Sequence, residues 1–481
     1  MDVEILSRVQ FALTVSFHYL FPPLTIGLGM VMVIIETMWI RTGDRQWFEA
    51  ARFWTRIFAI NFALGVATGI VMEFQFGTNW AAYSRYVGDI FGSALAAEGI
   101  FAFFLESGFL AILVFGWDRV GRKLHYFSTW MVCLGSMFSA VWIIIANSWM
   151  HTPAGFHLVA APDAGVAGVR AEVTDFWAMV FNPSSMTRLS HVLCSAVVTG
   201  GFLVMSVCAF YMLRGRHKEF TRRCMPVGVA VALAGVVLIG ITGDRSARGV
   251  AVQQPAKLAA FEAVFKTEPS GLYLFGWPDP ENQTVYGVKI PGMLSYMLYF
   301  DASKPVTGLD AFAPEDRPNM RIPFLAFHVM VILAGIMTML AALAAWFAWR
   351  GTLDRRRLLL KVLVPSVVMP TIAGQAGWYL AETGRQPWIV YPSVQDGKPV
   401  PGLRVSDALS EAVTAEQVVA SIIMFGLIYL MLFALWIFVL DKKIRHGPSE
   451  PKVGEEPPPM HGPPGGVAAA IAGAKGLTGA H

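Results

Sequence analysis

Nine stretches of this sequence stay apolar for about 20 residues or longer, and no other feature restricts the fold as tightly. They run roughly 12–40, 53–76, 91–116, 125–148, 188–213, 225–243, 323–349, 358–382 and 415–440. Backbone inside hydrocarbon has to satisfy its own hydrogen bonds, which a helix does within one segment. The predicted fold class is therefore all-α: a polytopic membrane protein of about nine transmembrane helices. Composition agrees, with 55% of the 481 residues hydrophobic and 15% charged, where soluble domains carry about 25%. A net charge of +4 on this length gives no reason to expect a nucleic-acid partner.

Basic residues gather in alternate connections. Arg41, Arg45, Arg52 and Arg56 follow the first span, Arg119, Arg122 and Lys123 the third, and Arg214 to Arg223 the fifth. Arg350 to Lys361 follow the seventh span, and Lys442, Lys443 and Arg445 the ninth. The positive-inside rule then predicts an outside N-terminus and an inside C-terminus. The first ten residues mix acidic and basic groups and no small-residue cleavage site follows, so the first span is expected to be retained. Four regions result: helices 1–6 over residues 1–243, an external segment over 244–322, helices 7–9 over 323–441, and a cytoplasmic tail over 442–481. The tail is rich in Pro and Gly and is expected to be disordered.

Ionisable groups inside spans are costly and mark function by default. His18, Glu98, His191, His328 and Glu382 fall in the outer half of their spans, as does Met330, while Glu106 lies deeper. Imidazole, thioether and carboxylate from separate helices at one depth suit haem iron, and a His/Met pair makes a six-coordinate electron-transfer centre. A single intramembrane His is more often a helix contact and a Met is usually packing; several such sites at one depth weaken that reading. Glu98 and Glu106 are eight residues apart, about 12 Å along a regular helix and 80° around it. Two buried carboxyls so stacked can relay protons. Ser139 and Asn147 read as ordinary polar helix positions. A haem–copper centre needs several clustered histidines, and His18, His191 and His328 lie inside the predicted spans while the others fall in loops, at span ends or in the tail. The four cysteines form no C-x-x-C pair.

Several blocks resemble subunit I of the cytochrome bd-type quinol oxidases, in its short quinol-loop form. They are SRVQFALTVSFHYLFPPLT (Ser7–Thr25), NFALGVATG (Asn61–Gly69), MEFQFGTNW (Met72–Trp80), AAEGIFAFFLES (Ala96–Ser107) and GRQPW (Gly384–Trp388). The resemblance runs in order up to about Leu440. It implies two haem b groups, one low-spin and one high-spin, and one haem d or a third haem b. By this likeness His18 is the ligand at the oxygen-reducing haem, His191 and Met330 hold the low-spin haem, and Glu382 ligates the high-spin haem with Arg385 as a propionate partner. Glu98 and Glu106 match members of a proton path, and Lys257 and Glu262 match loop residues of quinol oxidation. His328 departs from the family pattern, in which several members carry Arg at that place.

The implied activity is quinol:oxygen oxidoreduction in a bacterial inner membrane. Ubiquinol or menaquinol is oxidised at the outer face, O2 becomes water, and charge separates without pumping. The implied partners are a second subunit, a small single-span peptide and membrane lipid. Two alternatives stay open: the cyanide-insensitive family branch with haem b in place of haem d, and an electron-transfer cytochrome b without oxygen chemistry. A transporter using Glu98 and Glu106 for proton coupling is a third class, and it predicts no haem.

Overall fold

The computed structural model describes residues 2–162, 168–395 and 397–449. Among them, nine helical stretches are long and apolar enough to cross a membrane. The first is broken into α1 (Val3–His18) and α2 (Pro22–Thr42). Pro22 and Pro23 cause the break, since proline lacks the N–H and disfavours helix in the residue before it. Thus α1 ends on His18. Next come α3 (Arg45–Gly77), α4 (Ala81–Tyr86), α5 (Gly88–Glu98), a π-helical turn (Gly99–Phe103) and α6 (Phe104–Phe115). They are followed by α7 (Arg122–His151), α8 (Phe176–Val180), α9 (Ser185–Arg214), α10 (Lys218–Gln253), α11 (Pro255–Glu262) and α12 (Met293–Tyr299). The chain closes with α13 (Arg321–Trp349), α14 (Arg357–Leu363), α15 (Val368–Thr383) and α16 (Ala415–His446).

The two ends of the bundle differ. Connections at one end are short: Gly43 in the left-handed region caps α2, and the Asp44 carboxylate accepts from Gln46 N–H at 2.8 Å to start α3. The basic residues singled out in the sequence gather at this short-turn end. The other end is capped by three excursions. One holds β1 (Phe156–Ala160) paired with β2 (Val169–Val173), and α8. The second holds α11, α12, the β3 (Glu268–Pro269)/β6 (Pro305–Val306) pair and a hairpin of β4 (Leu272–Asp279) and β5 (Thr284–Ile290). The third holds β7 (Trp388–Val390), β8 (Ser393–Gln395), β9 (Lys398–Val400) and β10 (Leu403–Arg404), with β7 paired to β10 and β8 to β9.

Two boundaries differ from the sequence reading. The sixth span continues as α10 to Gln253, past the expected end at 243. Asp244 and Arg248, read as the start of a loop, are an i,i+4 ion pair on its last turns, 2.9 Å apart. The last span likewise reaches His446, so residues 442–446 of the predicted tail are helical. Residues 450–481 of that tail lie outside the described residues.

The largest core runs through α2, α3, α9, α10, α13 and α16. Its tightest crossing joins α2 to α9: a Cβ on Gly200 would sit 2.4 Å from the Gly27 carbonyl carbon. Small residues allow backbones to meet in this way, and it is how helices associate without a hydrophobic driving force. A second core joins α4, α5 and α7 to the third excursion, through Tyr83, Ile90, Trp149 and Val390. A third, around Phe261 and Phe324, seats the second excursion on α13.

Candidate functional site

Two histidines on different helices stand in the same local environment. His18, at the end of α1, has Nδ1 3.0 Å from the Thr68 hydroxyl oxygen of α3. Thr68 donates its own proton to the Leu64 carbonyl at 2.8 Å. His191 of α9 has Nδ1 3.1 Å from the Thr242 hydroxyl oxygen of α10, and Thr242 donates to the Leu238 carbonyl at 3.0 Å. Each hydroxyl has given its hydrogen to its own helix, so it accepts from the imidazole. That assigns N–H to Nδ1 and leaves Nε2 of both rings with a free lone pair, the form that ligates iron. In both cases the residue after the threonine is a glycine beside the ring. A Cβ on Gly69 would lie 3.3 Å from His18 Cε1, and one on Gly243 would lie 3.5 Å from His191 Cε1.

Met330 of α13 faces α15, where a Cβ on Gly377 would approach its sulfur to 3.1 Å. His191 and Met330 sit on α9 and α13, and both helices pack against α10. His328 is not aimed at this space. Its Nδ1 lies 2.8 Å from the Phe324 carbonyl and its Nε2 3.0 Å from the Tyr273 carbonyl of β4. The imidazole stacks on Phe324 and ties the external hairpin to α13. It serves as a strut between α13 and the hairpin.

Glu382, near the end of α15, is the centre of a buried polar cluster at the capped end. One carboxylate oxygen accepts from Asn147 Nδ2 at 3.0 Å and faces His151 Nε2 at 3.5 Å. The other accepts from Arg385 Nε at 3.1 Å and from its Nη2. Asn147 in turn accepts from Arg188 Nη1 at 2.6 Å, and His151 Nδ1 faces Gln254 Oε1 at 3.3 Å. Lys257 donates to the Ala381 carbonyl at 2.9 Å. Arg188, Arg385 and Lys257 thus stand around one carboxylate, a surplus of basic groups over acids. Such a surplus suits a ligand that carries carboxylates, as the propionates of a haem do. Burial first, and then Arg188 and Arg385, hold the Lys257 amine well below the usual lysine pKa, with Glu382 opposing them.

The structure does not bring Lys257 and Glu262 together. Five residues on a helix place them about 140° apart around α11. Lys257 faces α15, while Glu262 is buried with an Oε2 that meets no donor among the described residues. Burial pushes the Glu262 pKa up to about 8.

Glu98 and Glu106 do share a face, and the π turn between them is why. A π turn holds one extra residue, so eight residues advance as seven would in a regular helix, leaving an offset of about 20° instead of 80°. Both carboxyls then meet α7. Ser139 donates to Glu98 at 2.5 Å, and Gly135 leaves room for Glu106, where a Cβ would fall 2.4 Å from its Cγ. Ser139 and Asn147, read from the sequence as ordinary positions, each hold one of the predicted carboxylates. Arg188, His151 and Gln254 escaped the sequence reading because they lie at helix ends, where charge is unremarkable. The repeated Thr–Gly pair (Thr68–Gly69, Thr242–Gly243) was visible, but nothing in the sequence aligned it with a histidine.

Comparison with known proteins gives a consistent result. A family model described as cytochrome bd terminal oxidase subunit I matches residues 6–448. Cytochrome bd-II ubiquinol oxidase subunit 1 of Escherichia coli (strain K12) is 34% identical, over 93% of this chain and 97% of its own. Cytochrome bd ubiquinol oxidase subunit 1 of Bacillus subtilis (strain 168) is 35% identical, over 93% and 94%. The solved bd oxidase from Geobacillus thermodenitrificans superposes with a TM-score of 0.83 at 30% identity, covering 93% of this chain and 99% of that one.

Proposed function

This chain belongs to the cytochrome bd terminal oxidase subunit I family, and on that premise we propose that it is the haem-bearing, quinol-oxidising subunit of a terminal oxidase in the bacterial inner membrane. The capped end faces outside, as the alternation of basic connections predicts. The observation that carries the reading is the matched pair His18–Thr68 and His191–Thr242, which presents two imidazoles in the tautomer that iron requires.

His191 and Met330 would hold a low-spin haem b, Glu382 a high-spin haem b, and His18 the haem of the oxygen site, haem d or a third haem b. Bound haem supplies the electron transfer that links quinol to O2. Asn147 and Arg385 orient the Glu382 carboxylate, and Arg188, Arg385 and Lys257 would receive the propionates. Glu262 takes the quinol proton at the outer face, where its raised pKa suits a base working near neutral pH. Glu106 and Glu98 pass protons from the inside along the α7 seam, with Ser139 holding Glu98 in place. Protons leave on one side and are taken up from the other, so charge separates without a pump. A second subunit and a small single-span peptide complete the complex, and the native quinol is ubiquinol or menaquinol.

The test uses the purified complex. A reduced-minus-oxidised spectrum and O2 uptake with quinol are recorded for the wild type and for His191→Ala and Met330→Leu. The reading expects both variants to lose the low-spin α-band. An unchanged spectrum refutes the ligand assignment. Glu262→Gln should impair quinol oxidation more than oxidation of an artificial donor, and equal effects argue against Glu262 as the acceptor of the quinol proton.

A further inference from the structure

Towards the short-turn end, the seam that carries Glu98 and Glu106 continues to a third acid. Glu36 of α2 is 1% exposed, and it meets His125 of α7, which is 0% exposed. His125 Nδ1 lies 2.6 Å from Glu36 Oε1, and Thr129 donates to Glu36 Oε2. The other imidazole nitrogen, Nε2, lies 3.2 Å from the Leu113 carbonyl. Leu113 sits in the last turn of α6, where carbonyls have no partner within the helix. A carbonyl only accepts, so Nε2 carries a hydrogen. The proton between Nδ1 and Oε1 is then shared, resting either on the carboxyl or on the imidazole, and both arrangements are neutral overall. Trp117 stacks on His125 with ring centroids 3.9 Å apart. The charged groups around this aromatic cluster are Arg122, over Trp39, and Arg52, over Phe48, with the Arg45–Glu49 pair on α3.

Three rungs therefore lie along one α6–α7 seam. Leu113 with His125 and Thr129 is the first, Glu106 beside Gly135 and Ser136 the second, and Glu98 with Ser139 the third. Leu113 to Glu106 and Thr129 to Ser136 are each seven residues, about 10 Å and nearly the same helix face. A strut between α2 and α7 needs hydrogen bonds alone, and amides supply those. A fully buried acid and base hold something more, a proton that can leave.

We infer that Glu36, His125 and Thr129 form a proton-loading site that takes a proton from the inside and delivers it to Glu106. This rests on the oxidase reading above. In the step, the Glu36 carboxylate of the ion-paired form accepts one proton from the inside, making the pair singly positive. One proton then passes through bridging water to the Glu106 carboxylate, and the pair returns to neutral. Thr129 orients Glu36 throughout.

The experiment uses the intact complex in sealed vesicles, with the haem spectrum, quinol-driven O2 uptake and proton uptake from the inside recorded together. Glu36→Gln keeps the shape and removes the exchangeable proton. It should slow proton uptake and turnover about tenfold with the spectrum unchanged, and raise the solvent deuterium isotope effect on turnover. Thr129→Val leaves the acid–base pair in place and should give the same signature more weakly; it stands in if Glu36→Gln does not assemble. Wild-type proton uptake in either assembled variant overturns the proposal. So does a multiplied defect when Glu36→Gln is combined with Glu106→Gln, because residues on one route do not add. A wild-type complex that consumes no O2 would instead bring down the oxidase reading itself.

Discussion

His18 Nδ1 lies 3.0 Å from Thr68 Oγ1, an oxygen whose own hydrogen is committed to the Leu64 carbonyl. The arrangement fixes the imidazole tautomer from outside the ligand. Partners of this kind typically contribute 10–100-fold to metal affinity. Thr68→Val keeps the volume and deletes the acceptor. We expect the haem at His18 to be lost preferentially on purification, read as haem per complex by pyridine haemochrome analysis.

Thr242→Val is the matched experiment at His191. It should perturb only the low-spin α-band and spare the features that Thr68→Val alters. Identical spectra from the two variants would mean that the threonines do not serve separate sites.

Glu262 gives a pH dependence with a definite sign. Its pKa is raised from 4.5 to about 8 by burial, so the native state binds this proton more tightly than the unfolded chain. Stability therefore falls as pH rises from about 4.5 to about 8 and levels off above, since it rises with pH only where the unfolded state holds more protons. The temperature of half-inactivation should drop over that range in the wild type. In Glu262→Gln this component should vanish, making the variant relatively more heat-resistant at alkaline pH.

Ser139→Ala removes the donor to Glu98 and should slow O2 uptake while haem content stays intact. Full activity would show that Glu98 does not depend on α7 for its placement.

Gly200→Ala tests the α2–α9 crossing. The added methyl meets Gly27 backbone at 2.4 Å, and backbone cannot turn aside. A loss of about 1–3 kcal/mol is expected from overpacking, seen as a lower thermal midpoint of the complex.

The nine spans were legible because a run of apolar residues long enough to cross hydrocarbon leaves the backbone one solution. Their ends were less so. Asp244 and Arg248 look like loop residues in a hydropathy pattern, yet they neutralise each other on the last turns of α10. The carboxylates Glu98, Glu106 and Glu382 stood out by being charged in apolar surroundings. Their partners Ser139, Asn147 and Arg188 did not, because nothing local distinguishes a polar side chain that faces a distant helix from one that bonds its own. The offset between Glu98 and Glu106 was read as 80° for a related reason. Gly99 and the aromatics Phe101 and Phe103 permit a π turn without announcing it.

That turn makes the two directions of length change unequal. Removing one residue between Gly99 and Phe103 lets the backbone relax into a regular helix with both acids still on the α7 side, since seven regular residues match eight with the turn. Adding one has no such refuge: it swings Glu106 by about 100° away from α7. The segment is thus tolerant of shortening and closed to lengthening.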